Sequence, residues 1–148
     1  MSDNFIFSIC IMGYAVELSF DVSKSGSYTA RQDLIAMTAR DHNSSTQYSM
    51  HEIEGYGRRT IRNESVHVIM FDDNDFEDML SFIGVIRSEK VSSIDCIYTD
   101  EITCSFLYAS PKYLRRLDKP TSLKIRRTLK KSEDQNVLAV REALKLNC

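Results

Sequence analysis

Three histidines, at positions 42, 51 and 67, are the residues of this chain best suited to act as a general base. A hydrolase also needs a nucleophile that such a base can activate and a third group that orients the base. The sequence contains no G-x-S-x-G elbow, and His67 alternates with Val66 and Val68 on the other side of a strand. We interpret His67 as a solvent-facing or hydrogen-bonded side chain and expect no catalytic residues.

Two glycines flank Tyr56 and are followed by Arg58 and Arg59, a combination that could form a phosphate-binding loop. Phosphate loops follow the spacing G-x-x-x-x-G-K-[ST] or G-x-G-x-x-G, and this segment has neither. Glycine also allows backbone angles that other residues avoid, which suits a tight turn. The simpler interpretation is a turn with Tyr56 packed into the domain, without a nucleotide cofactor.

The segment from Asp72 to Asp78 is rich in carboxylates, and such a density can bind a hard cation such as calcium. An EF-hand loop needs glycine at its sixth position and a bidentate glutamate at its twelfth, where this sequence has Glu77 and Ile83. Acidic residues in the first turn of a helix also stabilise it through the helix dipole. We therefore expect a helix N-terminus here and no metal site.

The four cysteines lie far apart and include no C-x-x-C pair: Cys10, Cys96, Cys104 and Cys148. None of them is spaced from a histidine as zinc ligands are. We expect buried thiols, with a free thiol at Cys148, and no cofactor.

Positive charge is concentrated in one segment, because nine of the nineteen Lys and Arg residues lie between Lys112 and Lys131 with only Asp118 opposing them. Such a segment is either a solvated helix face or a binding surface for an acidic protein or anionic lipid. Nucleic acid is disfavoured, since Tyr113 is the one aromatic residue interleaved with the cations. The cations predicted to bind a partner or lipid are Arg115, Arg116, Lys124, Arg126 and Arg127.

The length of 148 residues fits one domain, and the composition is that of an ordinary globular protein. The apolar run from Phe5 to Met12 is too short to span a membrane, and the acidic N-terminus is unlike a secretory signal. The sequence therefore predicts a cytoplasmic protein.

Alternation and turn residues predict a mainly β, antiparallel sandwich. The strands are expected at residues 5–20, 28–40, 48–57, 61–71, 92–98 and 102–109. Asn74 and Glu77 resemble a capping box that opens a short helix, which Gly84 is well placed to end. A helical pattern from Leu123 to Leu146, broken near Ser132, follows the sheet. We predict a sandwich domain over residues 5–111 and a basic helical tail over residues 112–148.

The order of four motifs resembles the B9 domain, and within it the Meckel syndrome type 1 protein branch. The segment Ile53-Glu-Gly-Tyr-Gly57 is similar to the E-G-Y-G element, and Leu80-Ser-Phe-Ile-Gly84 to an L-x-x-F-F-I-G-G segment. The strand of Glu101-Ile-Thr-Cys-Ser-Phe106 and the basic stretch of Leu123-Lys-Ile-Arg-Arg127 follow in the same order. The positions that match the two central motifs are Glu54, Gly55, Tyr56, Gly57, Phe82, Ile83 and Gly84, with structural roles.

This resemblance implies a C2-like sandwich, here lacking its first strands, that acts as a scaffold without catalytic residues. It implies localisation at the cilium base (the basal body and transition zone). The implied partners are other B9-domain proteins and transition-zone membrane proteins, in a complex that supports ciliogenesis and the diffusion barrier. The alternative function is a peripheral membrane module of C2 type that binds anionic lipid through its basic tail.

Overall fold

The computed structural model describes residues 13–21, 28–48, 64–89, 93–100 and 105–145. Its five strands form one antiparallel sheet in the order β2-β3-β1-β4-β5. They are β1 (Gly13–Asp21), β2 (Ser45–Tyr48), β3 (Glu64–Asp72), β4 (Ser93–Asp100) and β5 (Ser105–Ala109). The central strand β1 pairs with β3 without interruption, from Gly13 opposite Asp72 to Asp21 opposite Glu64.

Helices contain more of the described residues than strands do. They are α1 (Tyr28–Asp41), α2 (Phe76–Glu89), α3 (Pro111–Leu114), α4 (Lys119–Lys131) and α5 (Gln135–Lys145), with a 3₁₀ turn (Asp73–Asp75) before α2.

The predicted antiparallel sheet is confirmed. The predicted mainly β sandwich is not, because the described residues form a single sheet that packs against helices.

The prediction of a strand from Tyr28 to Arg40 is wrong, because this segment forms α1. Among the side chains of α1 that the structure describes, Ile35, Thr38 and Ala39 are buried, and they stand at helical spacing on one side. Met37 lies between them in sequence and is 53% exposed. The continuous apolar run at residues 34–37 hides this helical spacing, because a short apolar run fits a buried strand as well as a helix.

The helix predicted after the acidic segment is confirmed as α2, but its predicted end at Gly84 is wrong, since the helix continues to Glu89. Ile86 continues the buried stripe formed by Met79, Phe82 and Ile83. Glycine within a helix costs roughly 1 kcal/mol relative to alanine, and burial of Ile86 offsets that cost. Asn74 does not open this helix, because it lies within the 3₁₀ turn.

The main core lies on one face of the sheet. Strand side chains such as Val16, Leu18 and Ile97 meet helix side chains there. The helical contribution comes from Ile35, Ala39, Met79, Phe82, Ile83, Ile86, Val137, Val140 and Ala143. A smaller cluster occupies the opposite face and includes Ala15, Val66, Val68, Cys96, Tyr98 and Tyr113. Both faces of the central strands are therefore buried.

The helices predicted near the C-terminus are confirmed, and α4 ends where Ser132 donates its backbone N–H to the Leu129 carbonyl. Val137, Val140 and Ala143 of α5 are buried in the main core, and α4 and α5 both contact β5. Residues 112–145 thus contribute to the same folded unit as the sheet, and α4 and α5 lie against its edge strand.

His67 faces the main core and is fully buried, so the prediction of a solvent-facing side chain is wrong. It stands opposite Leu18 in the β1–β3 ladder, and its ring centroid lies 5.1 Å from that of Phe20. The alternation with Val66 and Val68 was correctly inferred, but helices cover the face that His67 shares. Burial lowers the pKa of His67 from 6.5 to about 4.

We expect the free energy of unfolding to decrease as the pH falls from 6.5 toward 4, because the unfolded chain takes up a proton that the folded chain does not. The expected slope from His67 is about 1.4 kcal/mol per pH unit between these two values. Above pH 6.5 this contribution to the slope disappears, because His67 is then neutral in both states. Urea denaturation at several pH values measures it. The variant His67→Leu should flatten the slope in this range, whereas Met37→Leu, at an exposed site without a titratable side chain, should leave it unchanged. Equal slopes for wild type and His67→Leu would contradict the assignment.

Candidate functional site

Six exposed cations cover the outer side of α4: Lys119, Lys124, Arg126, Arg127, Lys130 and Lys131. None of them forms an ion pair with another described residue. The inner side of the helix buries Ser122 and Ile125, and Leu129 packs against the main core. We call these six side chains the basic face of α4. Because the apolar side of α4 packs against the rest of the domain, the basic face points outward.

The start of α4 is fixed by Asp118, whose carboxylate accepts hydrogen bonds from the backbone N–H of Thr121 at 3.0 Å and from its hydroxyl. These bonds lower the pKa of Asp118 below its usual value. Pro120 in the first turn also favours this start, since its missing N–H would have no partner within the helix. Asp118, the one acid of the basic segment, therefore caps the helix and does not form an ion pair with the cations of the basic face.

Two further cations extend the positive surface from α5. Arg141 and Lys145 are exposed and stand four residues apart on the same side of that helix. The Arg141 guanidinium Nη2 donates to the Leu129 carbonyl oxygen at 3.1 Å, at the C-terminal end of α4. This bond joins the two helices. The spacing of Arg141 and Lys145 is visible in the sequence, but their position beside α4 follows only from the turn at Ser132.

The predicted partner-binding cations fall into two groups. Arg115, Lys124, Arg126 and Arg127 are exposed, as a binding surface requires. Arg116 is not part of that surface, because its side chain is 6% exposed and its Nη1 lies 3.7 Å from Asp95 Oδ2. The prediction for Arg116 is therefore corrected, since its charge is paired inside the protein. The sequence gives no signal that separates Arg116 from its neighbour.

A bulge in the β1–β4 ladder places Asp95 beside Arg116. The register shifts between Glu17 and Leu18, which lie opposite Cys96 and Ile94. Asp95 is the extra residue, and it faces the same side of the sheet as Cys96. The Ser19 hydroxyl donates to Asp95 Oδ1 at 3.1 Å and accepts a hydrogen bond from Lys112 Nζ at 3.2 Å. Asp95 therefore connects two strands to the segment that precedes α4.

Potential nucleophiles in this region are enclosed. The side chains of Ser19 and Cys96 are fully buried. Burial, followed by the nearby charges of Glu17 and Asp95, raises the pKa of the Cys96 thiol well above its usual value. A protonated, enclosed thiol is a poor nucleophile. The polar cluster around Asp95 is thus suited to holding the fold together.

The other candidate residues have structural positions or lie outside the described residues. Phe82 and Ile83 are buried in the main core, and Gly84 lies within α2. The segment Glu54, Gly55, Tyr56 and Gly57 lies outside the described residues, as does the turn predicted there. Within the described ranges, no group of three or more His, Cys, Asp or Glu residues could hold a metal ion. No helix among them is long and apolar enough to cross a bilayer.

Comparisons with protein-family models, with curated proteins and with solved structures give no match. The resemblance to the B9 domain stays a prediction that rests on the motifs themselves. The geometry of the basic face and its surroundings is therefore the basis for assigning a function.

Proposed function

We propose that this protein is a non-catalytic interaction module that binds an acidic protein surface through the basic face of α4. The observation that carries the proposal is the row of exposed cations without an ion-pair partner among the described residues. The helix is anchored by buried Ile125 and joined to α5 by Arg141, so complex formation does not require the surface to be ordered first. Preorganisation of this kind lowers the entropic cost of association.

The described side chains that could act as a general base or nucleophile have positions set by the fold. His67 and Cys96 are each enclosed on different faces of the sheet. His42 is half-buried, and its Nδ1 lies 2.9 Å from the Thr38 carbonyl within its own segment. None of these groups is placed to activate another at an open surface, which general base catalysis requires.

The more specific form of the proposal follows the motif resemblance. In that form the chain is a B9-type scaffold component of the transition-zone complex at the cilium base, where it supports ciliogenesis. Mixing the chain with the two smaller B9 proteins of the same organism and separating the mixture by size-exclusion chromatography tests this form. Co-elution as a defined complex supports it. Separate elution of a folded monomer contradicts it while leaving the basic face available to another acidic partner.

A second candidate function is electrostatic binding to an anionic lipid surface. Leu123 is 36% exposed, and on α4 it is followed by Lys124 and, one turn on, by Arg126 and Arg127, a combination that also suits a membrane surface. Each Lys or Arg near such a surface contributes about 1 kcal/mol, screened by salt. Sedimentation with phosphatidylserine vesicles at low and high salt discriminates the two, since an absence of binding at low salt excludes lipid as the main ligand.

The proposal predicts that the double variant Lys124→Glu/Arg127→Glu binds a fluorescent poly-glutamate peptide at least about tenfold more weakly than wild type, because attraction becomes repulsion. Fluorescence anisotropy at low salt measures the affinity, and thermal denaturation verifies folding. The matched control is Arg31→Glu/Arg40→Glu on α1, which changes the net charge equally. Equal losses in the two variants would show a general charge effect and contradict a site on α4.

A further inference from the structure

A cleft of about 400 Å³ lies between the edge strand β5 and the helices α4 and α5. Its floor is apolar and is formed chiefly by four leucines, Leu107, Leu114, Leu129 and Leu144. Protein interiors are packed at close to crystal density and contain few openings of this size. The volume falls within the range of about 300–1,000 Å³ that is typical of small-molecule sites. It is too small for a helix, whose diameter with side chains is about 10 Å.

Four cations stand around this apolar floor: Arg126, Lys130, Arg141 and Lys145. All four are exposed, so they mark the solvent side of the cleft. Of the described residues that line the cleft, none is acidic. Arg141 is held in place by its hydrogen bond to the Leu129 carbonyl. The cleft thus offers a hydrocarbon-lined interior and a positively charged entrance.

We propose that this cleft binds a single-chain amphiphile with an anionic head group. The alkyl chain lies against the leucines, and the carboxylate or phosphate is held by the cations at the entrance. A water molecule occupies about 30 Å³ in the liquid, so the cleft holds on the order of a dozen water-sized groups. A chain of that many methylene groups has a comparable size. The planar guanidinium groups of Arg126 and Arg141 suit the oxygen pairs of such head groups.

This site shares Arg126 and Lys130 with the basic face of α4, but the proposed function is tested at Lys124 and Arg127, which lie outside the cleft. Lys124 borders a smaller cavity of about 150 Å³ on the other side of α4, lined in part by Phe106 and Thr128. Lys124, Arg127 and Lys131 do not line the larger cleft. The amphiphile probes and Lys130→Gln/Lys145→Gln test the cleft, whereas the acidic peptide and Lys124→Glu/Arg127→Glu test the protein-binding surface, so failure of one proposal is distinguishable from failure of the other.

The test is calorimetric titration of the full chain with dodecanoate and with a lauroyl lysophosphatidic acid, each below its micelle concentration. We expect saturable binding of one molecule, and binding of the neutral dodecyl glucoside at least about tenfold weaker. The tighter of the two anionic probes identifies the head group as carboxylate or phosphate. Equal affinity for the neutral probe would overturn the role of the cations. An absence of saturable binding by every probe would overturn the site.

Variants locate the binding. Lys130→Gln/Lys145→Gln should weaken binding of the anionic probes about tenfold, because two entrance cations are lost. The matched control Lys124→Gln/Lys131→Gln loses the same charge from the other side of α4 and should change affinity less than about twofold. Leu144→Trp should prevent binding of all three probes by filling the cleft. Equal affinity in wild type, Lys130→Gln/Lys145→Gln and a folded Leu144→Trp would overturn the assignment.

Discussion

Val140→Asp is expected to remove a large part of the free energy of unfolding of the protein. Val140 is fully buried in the main core, where α5 packs against α2. The substitution removes an apolar contact and places a carboxyl group where the surroundings are apolar. The combined cost is about 4 kcal/mol or more, which is comparable with the 5–15 kcal/mol stability of a typical domain.

Leu138→Asp is the matched control, because Leu138 lies on the same helix and is 39% exposed. We expect it to change the free energy of unfolding by less than about 1 kcal/mol. Urea denaturation followed by circular dichroism measures both variants. Similar stability of the two variants would contradict the packing of α5 on the sheet. It would instead favour the predicted division into a domain over residues 5–111 and a basic helical tail over residues 112–148.

Asp95→Ala is expected to destabilise the protein by about 3–5 kcal/mol, because the charge of Arg116 would remain buried without its carboxylate. The same substitution removes the acceptor of the Ser19 hydroxyl. Glu142→Ala on α5, an exposed site, is the control and should cost less than about 0.5 kcal/mol. Chemical denaturation of the three proteins at neutral pH gives the values.

A second substitution distinguishes the ion pair from the general effect of a truncated side chain. Arg116→Met removes the buried charge while retaining a long apolar stem. In the background of Asp95→Ala it should restore part of the lost stability, since no charge is then left unpaired. If Arg116→Met and Asp95→Ala are additive, the two side chains do not interact and the pairing described here is wrong.

The strands of the sheet were largely predictable because their side chains alternate. In β1, Tyr14, Val16, Leu18 and Phe20 face the main core. The same alternation leaves the number of layers undetermined. Ala15 and Ser19 on the other face are also buried, and small residues of this kind carry little signal of burial. The sandwich was inferred from alternation, whereas one sheet covered by helices also satisfies it.

The candidate site was predictable in composition but not in arrangement. The density of positive charge in the sequence predicted a binding surface, and Lys124, Arg126 and Arg127 are exposed, as that surface requires. Arg116 is buried because it faces Asp95, which is distant in sequence and is turned toward it by a bulge, whereas Arg115 is exposed. Arg141 and Lys145 were not included among the predicted cations, because their proximity to α4 depends on the reversal of the chain at Ser132.

The bulge at Asp95 also bears on how this strand can be aligned with others. Omitting Asp95 from β4 leaves Ile94, Cys96, Ile97 and Tyr98, whose side chains then alternate regularly between the two faces. The aspartate thus behaves as a one-residue insertion between Ile94 and Cys96, and the insertion supplies the partner of Arg116. A sequence alignment that allows a single gap at Asp95 assigns the following apolar residues of β4 to the correct faces of the sheet. An alignment without that gap assigns each of them to the opposite face.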